Sequence, residues 1–173
     1  AVLAFPTPVG ERLNMANAKP TMSCSASNQK AANLIDGNNG TFVALPLPEA
    51  GKPNSWVAAT FAAPFAARTI TLRPTTSMRD ASGVLEVSDD GAKFRKLADI
   101  RFGKSPEVRT FTFPRTEAKV WRVRFTKADG KMRRITLSEF DLSLKCSTQS
   151  LSSKTYRDRG DTGLGPVLAT TDE

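Results

Sequence analysis

The segment LIDGNNGT, residues 34–41, gathers one carboxylate, two side-chain amides, one hydroxyl and two glycines. Oxygen-rich sets of this kind suit a hard divalent cation, which takes roughly six to eight oxygens from carboxylates, carbonyls and hydroxyls. Asp36, Asn38 and Thr41 are the candidate ligands, and Gly37 and Gly40 let the backbone close round a small centre. Glu139 would add a second negative charge from far along the chain. Asp-Gly and Asn-Gly are also among the commonest turn signals, so a tight turn without a cation is the competing reading.

Other chemistries lack their residues. The chain has no histidine, so no Ser-His-Asp or Cys-His arrangement and no histidine general base can form. The glycine spacings that cradle phosphates, GxxxxGK[ST] and GxGxxG, are missing. Carboxylates are few, and Asp89, Asp90 and Asp129 sit beside turns, so no facing pair for glycoside hydrolysis is indicated. This chain alone is read as non-catalytic. Its 25 Lys and Arg residues give a net charge of +8 but are scattered singly or in pairs, which describes a basic surface and not a nucleic-acid motif. No apolar run approaches the ~18 residues of a membrane span. Cys24 and Cys146 lack zinc-site spacing, and a long-range disulfide and two free thiols both remain open.

The elements that must position the loop follow from periodicity. Residues 1–23 read as an irregular extension with one short strand at 2–5, and residues 24–34 as small and polar with about one helical turn before Leu34. Period-two alternation then takes over. SWVAATF predicts an almost wholly apolar strand covered on both faces, with Trp56 and Trp121 both reading as core. RTITLRP turns Ile70 and Leu72 inward and Thr69, Thr71 and Arg73 outward; KVWRVRF turns Trp121, Val123 and Phe125 inward and Arg122 and Arg124 outward. SDDGAKF and KADGK predict hairpin turns at Asp90-Gly91 and Asp129-Gly130. In RRITLSEFDLSL the apolar phase changes across Ser138-Glu139, which predicts a bulge or a change of sheet there. The class is therefore all-β, an antiparallel β-sandwich over residues 24–146, followed by a linker-like tail at 147–173.

The order NLIDGNNGT, SWVAATF, GVLEVSDDGAKF, RTFTFP, AKVWRVRFT and ITLSEFDL resembles the discoidin, or coagulation factor 5/8 type C, family. That resemblance covers about residues 24–144 and implies a galactose-binding-like jelly-roll sandwich. It also implies a structural Ca²⁺ held by the Asp36 carboxylate, the Asn38 carbonyl, the carbonyl and hydroxyl of Thr41, and Glu139, with the Asn33 carbonyl as a further ligand. Asn38 stands where the family often carries a second carboxylate. The flanking strings VLAFPTP and SSKTYRDRGD look like the accessory sandwich near the front of large bacterial α-L-rhamnosidase-type glycoside hydrolases. The implied role is carbohydrate binding or interdomain support in a secreted or periplasmic enzyme, with carbohydrate and other domains of the same polypeptide as partners. Sugar binding in related modules uses loops at one end of the sandwich, so Phe42, Arg79 and Asp80 are the candidate ligand residues. The alternative is a module for a protein or anionic membrane surface, with Leu45 and Leu47 as apolar spikes.

Overall fold

Alternating β-branched and aromatic residues between Trp56 and Ser143 produce the long strands that the period-two pattern requires. The computed structural model describes residues 15–78, 80–103, 108–128 and 132–144. A single helical turn, α1 (Met15–Ala18), leads into β1 (Thr21–Cys24) and a 3₁₀ turn (Ala31–Leu34). Then come β2 (Val43–Leu45), β3 (Trp56–Pro74), β4 (Ser82–Ser88), β5 (Arg95–Arg101), β6 (Arg109–Lys127) and β7 (Ile135–Ser143). The strands pair in the order β2-β7-β3-β6-β4-β5, all antiparallel, with β1 also on β3.

β3 and β6 each serve both layers of the sandwich. The first half of β3 pairs with β1 and with the second half of β6, which continues into β4 and β5. The second half of β3 pairs with β7 and with the first half of β6, and β7 continues into β2. The ladder between β3 and β6 breaks from Thr60 to Phe65 and again from Ala67 to Thr69. Pro64 and Pro114 fall in those breaks, where no ladder N–H is needed. Phe61 and Phe65 stack at the bend with centroids 4.4 Å apart. The inward residues of both layers form one core, with Trp121, Phe125 and Phe140 fully buried. The Trp121 indole N–H is satisfied by the Ala118 carbonyl at 3.1 Å.

Most of the expected alternation holds. Trp121, Val123 and Phe125 point inward, and Asp90-Gly91 turns the β4–β5 hairpin with Gly91 at φ +75°. The bulge is at Ser138: Arg73 pairs with Glu139 while Pro74 pairs with Leu137, so Ser138 is the extra residue. One expectation is corrected and one gains a detail. The 56–61 strand is not covered on both faces, because Thr60 is exposed and Trp56 only half-buried on the outer side. Thr69 and Thr71 point outward from the core yet are buried, and Thr71 shares a 2.9 Å hydrogen bond with Thr110 across the ladder. A strand at 21–24 goes unread in the sequence, since TMSC carries no long alternation; it pairs with β3, and Met15 packs in the same core. The expected strand at 2–5, the turn at Asp129-Gly130, Cys146 and the 147–173 tail lie outside the described residues.

Candidate functional site

Residues 35–42 run from the 3₁₀ turn to β2 and fold back on Asp36. Asp36 Oδ1 accepts the Asn38 backbone N–H at 2.8 Å, and Asp36 Oδ2 accepts the Thr41 hydroxyl at 2.7 Å. The same hydroxyl lies 2.8 Å from the Asn38 carbonyl oxygen, and Asn38 Oδ1 accepts the Gly40 N–H at 2.9 Å. Gly37 sits at φ +72°, a conformation that side chains disfavour. Asn33 stands behind the loop, its amide donating to the Phe42 carbonyl at 3.4 Å. The Thr41 hydroxyl, then the Asn38 N–H, hold the Asp36 carboxyl below the usual carboxylate range.

Glu139 reaches this loop because the Ser138 bulge resets the outward phase of β7. Its Oε1 is buried and has no hydrogen-bond partner. Burial first, and the Asp36 charge second, push the Glu139 carboxyl above its usual range. The β2–β7 register that pairs Val43 with Leu137 carries the loop before β2 toward Glu139, so the two carboxylates share one region of the surface. Leaving a buried acceptor unmet costs roughly 1–3 kcal/mol. The donor set, with two carboxylates, a hydroxyl and backbone carbonyls, has the all-oxygen chemistry that a Ca²⁺ ion takes. Among the described residues no three or more His, Cys, Asp or Glu side chains cluster as a metal site, so here backbone carbonyls and the Thr41 hydroxyl would have to supply most of the ligands.

The ligand candidates do not converge. Asp80 is exposed at φ +57° and lines a cleft of about 590 Å³ with Arg101, Phe102 and Lys127, where β4 begins and β5 and β6 end. Phe42, 44% exposed, lies beside the Asp36 loop and does not line that cleft. Arg79 lies outside the described residues. Leu45, a spike in the membrane reading, is in the core at 1% exposure.

A second depression, of about 700 Å³, lies on the outer face of the β1-β3-β6-β4-β5 layer and was not legible in the sequence. Trp56, Ala58 and Thr60 of β3, Phe94 and Arg122 line it. Arg122 holds Glu86 Oε2 through Nε and Nη2 at 2.9 and 2.7 Å, and Arg124 holds Glu86 Oε1 at 3.0 and 2.7 Å. The Arg122 guanidinium lies 3.4 Å above the Phe94 ring. Burial pushes the Glu86 carboxyl up, but the hydrogen bonds and charges of Arg124 and Arg122 outweigh it and leave it lowered. Only the register Glu86↔Arg122 reveals this group. The sequence signal was the outward phase of Glu86, Arg122 and Arg124.

A family model described as the F5/8 type C domain matches residues 18–140. The chain belongs to the F5/8 type C domain family. This F5/8 type C domain has several similar solved structures. One is the carbohydrate-binding module CpGH89CBM32-5 from Clostridium perfringens, in complex with GalNAc-β-1,3-galactose: 17% identity, TM-score 0.60, covering 75% of this chain and 99% of that one. Another is chitosan-binding module 1 from a chitosanase/glucanase of Paenibacillus sp. IK-5: 18% identity, TM-score 0.59, with 73% and 96% covered. A third is the Family 89 glycoside hydrolase of Clostridium perfringens: 14% identity, TM-score 0.61, covering 75% of this chain and 14% of that one. At these identities the F5/8 type C domain shares their fold. A search of curated proteins found no match. Among the described residues no helix is long and apolar enough to cross a membrane.

Proposed function

We propose that this F5/8 type C domain is a non-catalytic accessory sandwich of a secreted or periplasmic bacterial glycoside hydrolase, where it binds carbohydrate or supports neighbouring domains. The observation that carries this reading is the family sandwich itself, whose similar solved structures include a carbohydrate-binding module with a sugar bound and a glycoside hydrolase of which such a fold forms 14%. The lack of histidine supports a binding role over a catalytic one. The Asp80 cleft is the loop-end surface for sugar hydroxyls: the carboxylate accepts, and Arg101 and Lys127 donate. Affinity electrophoresis through gels cast with soluble polysaccharides tests the role. Retardation by at least one glycan, weakened by Asp80→Ala, is expected. No retardation by any glycan would overturn the binding role and leave only support.

The same reading places a structural Ca²⁺ between the Asp36 loop and Glu139. Asp36, Asn38, Thr41 and Glu139 would hold it, and Asn33 would brace the loop. Bound Ca²⁺ would neutralise the two carboxylates and tie the loop to β7. A melting temperature unchanged between excess Ca²⁺ and EDTA would overturn the Ca²⁺ assignment.

A further inference from the structure

We propose that the depression on the outer face of the β1-β3-β6-β4-β5 layer is a second glycan-binding surface, which takes the side of a neutral polysaccharide chain with Trp56 as its stacking platform. This rests on the reading of the domain as part of a carbohydrate-active protein, but it concerns a different face from the Asp80 cleft. The two share no lining residue.

Shape comes first. Its lining includes small residues, Ala58 and Thr60 of β3 with Gly91 of the hairpin turn, which leave room between Trp56 and Phe94. The trough follows β3 from Trp56 to Phe61, about 17 Å at the rise of a β-strand. The lining also crosses from Ser23 of β1 over β3 and β6 to the β4–β5 turn, about 14 Å at the spacing of neighbouring strands, so the depression is an open face with room for more than one sugar ring.

The walls supply sugar-binding chemistry. Trp56 is half-buried, and its indole N–H makes no hydrogen bond among the described residues, whereas the N–H of buried Trp121 is satisfied. An amphipathic ring with an open N–H offers a face to stack on and a donor beside it. The opposite wall is rigid. Phe94 lies under Arg122, Arg122 is held by Glu86, and Glu86 is held by Arg124. A wall fixed before binding loses little side-chain entropy when a ligand arrives.

Charge selects a neutral ligand. Asp89 and Lys119 stand on the rim with opposite signs, and neither has a hydrogen-bond or ion-pair partner among the described residues. Asp90 is occupied in the turn by Ser88, Ala92 and Lys93. An anionic chain would meet Asp89 and Asp90, and a cationic one Lys119 and Arg122. Hydroxyls pair with both signs. Phe42, the large apolar side chain exposed among the described residues, lies elsewhere, so the groove lacks the apolar patch of a protein-docking face.

The test uses intrinsic fluorescence. Trp121 is fully buried, so Trp56 is the indole that a ligand on this face would touch directly. The intact chain is titrated with soluble galactan, galactomannan and xyloglucan, with polygalacturonate as the anionic comparator. At least one neutral polymer is expected to change the emission, and Trp56→Phe to abolish that change. Affinity electrophoresis with Trp56→Ala, and with Thr60→Trp to fill the depression from an exposed position, should show at least tenfold weaker retardation at unchanged melting temperature. Full retention of binding in both variants, with loss in Asp80→Ala, would overturn the groove while leaving the accessory role intact. Binding of polygalacturonate alone would overturn the neutral-chain assignment. No binding of any polymer by the parent chain overturns this inference and the binding role together.

Discussion

Glu86 occupies the outer face of β4, yet its side chain is only 8% exposed because two arginines close over it. Removing the carboxylate would leave Arg122 and Arg124 facing each other at 20% and 31% side-chain exposure. Breaking a fully buried ion pair costs roughly 3–5 kcal/mol, and partial exposure discounts that. Glu86→Gln is therefore expected to lower stability by about 2 kcal/mol in urea titration at neutral pH. Its pH dependence has a definite sign. The folded pKa lies below the ordinary glutamate value of 4.5, so the group's stabilisation is present above that pH and lost as pH falls through the folded value. The parent chain should weaken below about pH 4.5, and Glu86→Gln should show a smaller acid loss; identical acid profiles would contradict the triad. At the other site, if the loop takes Ca²⁺ as proposed, Glu139→Gln should abolish the rise in melting temperature that Ca²⁺ produces while preserving the fold. The bonds around Asp36 were legible in sequence because they span five residues or fewer. The Glu86 group was not, because it joins residues 36 and 38 apart through strand register.

Strand β3 shows what an element adds. Its sequence reads as two strands divided by AAPF, yet it is one strand that bends at Pro64 and passes between layers. A proline marks a strand end in local reasoning, but it is tolerated where the ladder is already broken. The Ser138 bulge was legible because the apolar phase itself shifts. Deleting Ser138 would put the outward residues of one segment of β7 into the core, and the chain is expected to accumulate as insoluble protein on expression. Gly83 lies where the β4–β6 register shifts, and a Cβ there would stand 2.5 Å from the Arg124 carbonyl oxygen. Gly83→Ala should cost about 1–3 kcal/mol, read as a lowered thermal midpoint.

For the whole molecule, the bend that lets β3 and β6 serve both layers makes one core of the described strands. Ties between the ends of the sequence therefore act on global stability. If Ca²⁺ joins the Asp36 loop to β7, saturation at a hundred times its dissociation constant should add about 2.7 kcal/mol. Calorimetry in Ca²⁺ against EDTA measures it, and the gain should vanish in Asp36→Ala. The two candidate glycan surfaces lie on separate parts of the sandwich, so variants in one should leave the other's binding intact.

Sequence alone determined the β class, the inward sets of most strands, the bulge and the polar loop at residues 34–41. Each depends on spacing within a few residues, which strand pleat and turn chemistry translate directly into structure. Tertiary structure decided that Glu139 keeps an unmet buried oxygen near the Asp36 loop, that Glu86 lies between two arginines, and that the outer side of Trp56 lines a depression. Those depend on register and on which element covers which face. Many distant residues set them together, and no local pattern encodes them.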